Sequence, residues 1–289
     1  MDFLFGQLSD WLKGLLIDGI MARFAGIYDS INAQVGNVAA NVGASPAGWN
    51  PGVFSMIRTL SETAIIPVAG MILTFVLTYE LIHMIIERNT LHDFEPEKLY
   101  IWFFKSFCAV FILTHTFDIV MGVFSLAQQV VGASAGVIQG SLNVGAGQAL
   151  TDLRALLEPM GVFELIGLWL EVFVVDLCMM IMGICVFIII YGRMIEIYLT
   201  VSIAPIPLAT MANREWGQIG NNYLKSLFAL AFQGFLIMVC VAIYAVLILN
   251  IPSANSAHAA IWGAAGYTVL LIFTLFKTGS LSKSLFNSH

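Results

Sequence analysis

Charge is scarce in this sequence. Of its 289 residues only 10% are Asp, Glu, Lys or Arg, while 59% are hydrophobic. A soluble domain carries about 25% charged residues, because charge is what solvates its surface. A chain this poor in charge cannot cover a water-exposed globule, and its mean hydropathy of +0.89 agrees. It is read as an integral membrane protein. A basic excess is also missing: 12 Lys and Arg stand against 18 Asp and Glu, for a net charge of −6. That excludes a basic nucleic-acid-binding face. Cysteine is rare, and Cys108, Cys178, Cys185 and Cys240 all lie inside apolar runs. Disulfide frameworks and thiolate metal sites put their cysteines in ordered polar loops, so neither is expected. No internal repeat supports an inverted-repeat transporter. Phosphate-cradling Gly loops, HExxH, Gly-x-Ser-x-Gly and CxxC are likewise missing, so the sequence offers no enzyme, cofactor or metal site.

What is present is a series of apolar stretches. The first thirty residues set Leu4, Leu8, Leu12, Leu15, Leu16, Ile20 and Phe24 at helical spacing, interrupted by Asp10, Lys13, Asp18 and Arg23. A central charge costs about 2.5–3.5 kcal/mol on membrane-insertion scales. Residues 1–60 therefore read as an extracytoplasmic region, an amphipathic helix followed by a linker. The linker is Asn32 to Gly52, Gly-rich and closed by Asn50-Pro51. Residues 61–289 read as an all-α polytopic transmembrane domain with about five spans at 65–86, 100–131, 163–191, 224–249 and 259–276. In the first, Pro67 is expected in the opening turn, where proline is tolerated. The second is longer than the roughly 20 residues a bilayer requires, and is expected to tilt or protrude.

Residues 194–212, MIEIYLTVSIAPIPLATMA, are apolar enough to cross but carry Pro205 and Pro207. Each proline removes a donor and costs about 3 kcal/mol in a helix interior. Broken backbone survives at membrane depth only where protein or a water-filled cavity satisfies it. The segment is therefore a sixth, kinked span or a re-entrant elbow at Ser202, Pro205 and Pro207. Basic residues decide. If it does not cross and the N-terminus is outside, Arg88, Lys98, Lys105, Arg193, Arg214, Lys225, Lys277 and Lys283 are cytoplasmic, against Arg58 and Arg154 outside. A crossing elbow gives six against four at best. Positive charge concentrates on the cytoplasmic side. The expectation is thus a buried elbow in a multi-pass protein of the bacterial cytoplasmic membrane, N-terminus outside and C-terminus cytoplasmic.

Ionisable residues inside spans are functional candidates. Glu80, His83 and Glu87 share a helical face that Lys105 can reach, as an interhelical ion pair or as a proton relay. His115 and Asp118, three apart and deeper, read as a hydrogen-bonded pair or a transport site. Glu164, Glu171, Cys178 and Cys185 recur at seven-residue spacing, which keeps them nearly on one face. That stripe reads as a packing seam or as the lining of a wet lumen, its carboxylates at a rim or paired with Arg154. Gly70, Thr74 and Thr78 read as a close-packing stripe.

The stretch from Ser202 to Ile237, SIAPIPLATMANREWGQIGNNYLKSLFALAFQGFLI, carries an Ala-Pro-x-Pro break, a polar hairpin with Arg-Glu-Trp, and a Lys-Ser start to a span containing Gln-Gly. It resembles the TrbL-like family of polytopic inner-membrane subunits of type IV secretion (conjugation) machines. The order of parts is similar too. The resemblance implies a channel or scaffold subunit that helps DNA and protein cross the membrane. It implies as partners an assembly ATPase, a bitopic scaffold subunit and a cell-wall hydrolase, and leaves contact with DNA open. A single copy with five spans is too slender to enclose such a passage, so a homo-oligomer is expected. The competing reading is a stand-alone ion-coupled transporter or channel with a broken-helix site.

Overall fold

The computed structural model describes residues 2–86, 96–142, 146–249 and 256–287. Its described residues are almost entirely helical. The helices are α1 (Asp2–Gly43), α2 (Pro46–Trp49), α3 (Pro51–Leu60), α4 (Ile66–Ile86), α5 (Pro96–Thr114), α6 (Thr116–Leu142), α7 (Ala146–Leu157), α8 (Val162–Ser202), α9 (Pro205–Thr210), α10 (Gly217–Leu249) and α11 (Ala257–Leu285). Among the described residues five stretches are long and apolar enough to cross a membrane: Pro51–Ile86, Thr116–Val137, Val162–Ser202, Gly217–Ile248 and Ala257–Leu285. The all-α, five-span reading is what the chain adopts. Most of the charged connection at Glu87–Leu99, with Glu87 and Arg88, lies outside the described residues.

The chain forms two compact units. One comprises Met1–Gly43, Val130–Tyr191 and Gly234–Thr278; the other comprises Ala44–Gln129, Gly192–Gln233 and Gly279–His289. In the first, α1 buries Ile17, Ile20, Phe24, Ile27, Ile31, Val35, Val38 and Val42 along one stripe, against Leu168, Val172 and Met182 of α8 and residues of α10 and α11. The expected linker is thus helical as far as Gly43. Burying each branched side chain stabilises by about 1.5–3 kcal/mol. Four of them, from Ile31 to Val42, outweigh the roughly 1 kcal/mol that Gly36 costs a helix. Asn50-Pro51 likewise starts a helix instead of closing a loop. The Asn50 Oδ1 accepts the Val53 amide at 3.1 Å, as Ser45 Oγ accepts that of Gly48 at 2.8 Å, and Pro46 and Pro51 take first-turn positions. Within the first unit, Tyr244 on α10 meets Thr268 of α11 at 2.8 Å and the Met179 sulfur of α8 at 3.2 Å.

In the second unit, Pro67 lies in the opening turn of α4 as expected, but no loop precedes it. α3 leads through a π-helical turn, Ser61–Ile65, into α4, and the Ile66 amide reaches five residues back to the Ser61 carbonyl. A single wide turn absorbs the donor that Pro67 lacks. The expected second span is likewise two helices with a break at His115. Thr114 Oγ1 bonds the carbonyls of Val110 and Phe111, and Thr116 Oγ1 those of Ile112 and Leu113. Such back-bonding bends helices. In the first unit, the Gly-rich stretch 132–159 is mostly helix among its described residues, as the end of α6 and all of α7.

Candidate functional site: the proline elbow and its vestibule

α8 runs unbroken for 41 residues, roughly 60 Å at 1.5 Å per residue, and carries Met194 to Val201 within it. The backbone breaks only after Ser202, whose Oγ donates to the Leu199 carbonyl at 2.7 Å. Pro205 then stands at the first position of α9, where its missing N–H would have had no helical partner anyway, and Pro207 stays within that first turn. So the two prolines begin a short helix instead of interrupting a long one. Pro205, Pro207, Leu208, Ala209 and Thr210 are all buried. Ala209 packs with Ala69 and Leu73 of α4 and with Ala109 and Leu113 of α5.

The exit from the elbow is pinned by side chains. Thr210 Oγ1 donates to the Pro207 carbonyl at 2.7 Å. Buried Asn213 turns the chain: its Oδ1 accepts the amides of Glu215 at 2.6 Å and Trp216 at 3.2 Å, just before α10. Tyr223 donates from α10 to the Thr200 carbonyl at 3.2 Å. Gly220 lies where α10 passes against the elbow, and a Cβ there would sit 2.6 Å from the Pro207 oxygen.

Beside the elbow lies an open cavity of about 1010 Å³, lined by Tyr79, Glu80 and His83 of α4, Trp102 and Lys105 of α5, and Asn213, Arg214 and Glu215 of the turn. The structure brings three of the sequence candidates here. Lys105 Nζ lies 2.7 Å from Glu80 Oε1, and His83 Nε2 lies 3.0 Å from the Tyr79 hydroxyl. Trp216 stacks on Phe75 and Tyr79, with ring centroids at 5.6 and 6.0 Å. The vestibule is thus an aromatic wall beside a compensated ion pair, with Arg214 and Glu215 at its edge.

Other candidates fall elsewhere. His115 Nδ1 meets the Phe111 carbonyl at 3.0 Å and the Thr114 hydroxyl at 3.1 Å, and no hydrogen bond joins it to Asp118. Glu164 accepts the Gly161 amide at 3.0 Å, so it caps its own helix. Glu171 pairs with His258 of α11 at 3.0 Å, while Cys178 and Cys185 are half-buried and free. Arg154 turns to Asp18 at 3.4 Å and Glu158 at 3.8 Å, so it pairs with neither Glu164 nor Glu171. Thr74 and Thr78 bond carbonyls of their own helix and are exposed.

Two ionic features escaped the sequence reading. Arg193, counted there as a flanking charge, is 6% exposed, and its Nε and Nη2 donate to the Leu230 and Ala231 carbonyls of α10, each at 3.2 Å. The signal was its place on the buried stripe Ile190, Met194, Ile197, Val201. Arg23 of α1 pairs with Asp176 of α8 and lies 4.9 Å over the Trp169 ring.

A family model described as TrbL/VirB6 plasmid conjugal transfer like protein matches residues 31–205. No curated protein and no solved structure matches significantly. The match covers more than half of the sequence, runs through the spans Pro51–Ile86, Thr116–Val137 and Val162–Ser202, and ends on the first proline of the elbow. With five apolar spanning helices in an all-α architecture, the chain belongs to the TrbL/VirB6-like plasmid conjugal transfer family.

Proposed function

We propose that this chain is a channel or scaffold subunit that helps DNA and protein cross the bacterial cytoplasmic membrane during conjugation. Family membership makes it a multi-pass membrane component of a type IV secretion system, in a family of structural components and not a known enzyme family. The observation that carries the finer reading is the family match itself, which takes in three of five spans and reaches the elbow. The buried α9 supports it. A broken segment held on protein rather than in lipid is a fixed internal landmark around which neighbouring subunits are positioned. The vestibule beside it offers a wet, charge-compensated surface at one end of α4 and α5.

The working unit in this proposal is a homo-oligomer around a central axis. Repeating one heterologous contact by rotation closes a ring, and a ring supplies the bore that one copy lacks. The assembly ATPase, the bitopic scaffold subunit and the cell-wall hydrolase are the partners proposed to hold it in the machine.

The test is a mating experiment. Donor cells lacking this reading frame are complemented with the wild-type chain or with Pro205→Ala combined with Pro207→Ala. We expect transfer to be lost without the chain and to fall at least ten-fold with the double variant, which still fractionates with the membrane. Undiminished transfer from donors lacking the chain would sink the functional proposal. A double variant at wild-type frequency would remove the elbow from it. A detergent-solubilised mass of one copy, with the partner subunits present, would remove the ring.

A further inference from the structure

We infer that the outer face of α1 lines a water-filled path at membrane depth, with Gly26, Ser30, Ala33 and Asn37 turned to the water. The depth follows from what α1 touches. α8 exposes large apolar side chains from Phe163 to Leu199, with exposed carboxylates at Glu164 and Glu196; midway between those two, Leu170 to Ile188 form a band roughly 27 Å tall at 1.5 Å per residue, close to the 30 Å of a hydrocarbon core. Asp176, the partner of Arg23, lies inside that band. So do Met182 and Val186, which enclose a small void together with Ile31 and Gln34 of α1, Val241 and Tyr244 of α10 and Leu271 of α11. Residues 23–34 of α1 therefore run beside the apolar middle of three spanning helices, and not outside the membrane as the composition of residues 1–60 predicts.

At that depth an outward face meets lipid, protein or water, and its chemistry selects among them. The inward stripe of α1 is Ile, Val and Phe. Its exposed positions between 22 and 40 are Ala22, Gly26, Asp29, Ser30, Asn32, Ala33, Asn37 and Ala40, without one large apolar side chain. Lipid contact would strand the Asp29 carboxylate and two carboxamides without partners. The α8 face at the same level shows what a lipid-facing surface of this protein looks like: Phe173, Met180, Ile184 and Phe187. A cavity that borders the same face at Gly26 and Ser30 also points to water. It runs along the α1–α8 seam with a volume of about 450 Å³, lined by Arg23, Ser30, Gln34 and Asp176 together with methionines and glycines. An ion pair inside the apolar band, opening on a polar cleft, is hydrated in place. The helix thus seals the bundle with one face and wets the other, which suits a subunit whose copies surround a passage. In that sense the inference rests on the transfer function proposed above.

Cysteine accessibility tests it in the full-length chain, expressed in donor cells with its machine and with the four native cysteines replaced by alanine. Ser30→Cys, Ala33→Cys and Asn37→Cys are compared with Phe173→Cys and Ile184→Cys as lipid-facing controls, using a membrane-impermeant methanethiosulfonate applied from either side. We expect modification at the α1 positions at least ten-fold faster than at the α8 positions. Rates equal to the controls at all three α1 positions would overturn the inference. So would spontaneous disulfide dimers at Ala33→Cys without modification, since they place the face against a second copy. Loss of transfer on deleting the chain, measured in the same strains, separates the two failures: a chain that is required but unlabelled keeps its function and loses this lining.

Discussion

A Cβ on residue 220 would lie 2.6 Å from the carbonyl oxygen of Pro207 and 2.1 Å from the Met211 Cγ, which is why α10 carries Gly220 at that point. The flexible methionine can move aside; the elbow backbone cannot. Overpacking a tight core costs about 1–3 kcal/mol. Gly220→Ala is expected to lower the thermal midpoint of the detergent-solubilised protein by several degrees and to reduce conjugative transfer. Gly217→Ala, where the nearest atom lies 3.5 Å away, should do neither. Equal midpoints for the two variants would show that α10 does not need this close approach.

How much of this was legible in the sequence depends on which force decided each element. The spans follow from apolar run length, so their number and rough placement could be read directly. The elbow was legible as a fault at two prolines, but its extent was not. The sequence spreads the disturbance over 194–212, whereas Pro205 and Pro207 share one first turn and leave the end of α8 intact. Glu80 and Lys105 were found because helical spacing and a short connection bring their faces together. Arg193 was missed because a charge at a span end reads as a flanking residue, and its acceptors, backbone carbonyls of α10, leave no mark in a side-chain pattern. The helical continuation of α1 was hidden by glycine and asparagine, which lower local propensity while Ile31, Val35, Val38 and Val42 supply the burial that overrides it.

Arg193 ties α8 to α10 through two bonds to carbonyls already engaged in their own helix. Arg193→Met preserves much of the volume and removes both bonds. Hydrogen bonds from a charged donor contribute about 1.5–3 kcal/mol each, less the cost of burying the charge. The expected result is a moderate loss of midpoint for Arg193→Met and a larger one for Arg193→Ala, which adds a cavity. Thermal unfolding followed by thiol labelling of the native cysteines reads both. A Met variant more stable than wild type would mean that burying the guanidinium costs more than its two bonds return.

Orientation has its own test. With Arg193 in the protein interior, seven of the eight basic residues assigned to the cytoplasmic side still oppose Arg58 and Arg154. We propose that the connection Glu87–Leu99 faces the cytoplasm on this distribution. Phe94→Cys in a background without native cysteines should react with an impermeant maleimide only after the membrane is opened. Labelling of that position on intact cells would reverse the topology.

Glu171 and His258 join α8 to α11 at 3.0 Å, with side chains 26% and 49% exposed. The seven-residue stripe that includes Glu171 has two readings, packing seam or lumen lining, and this pair makes them separable. As a clasp, it is a partly solvated hydrogen-bonded pair contributing about 1 kcal/mol or less. Glu171→Gln and His258→Gln should then each lower the midpoint slightly, and together by no more than the larger single effect, because both remove one interaction. Transfer should stay near wild type in all three. As a lumen residue, Glu171 acts on whatever passes it, and Glu171→Gln would change transfer while leaving the midpoint alone, with His258→Gln failing to reproduce it. We expect the first pattern, because Glu171 already has a partner within its own unit and Glu164 is spent on the Gly161 amide. A transfer defect in Glu171→Gln at unchanged stability would return the stripe to the passage and make α8 share with α1 the lining inferred above.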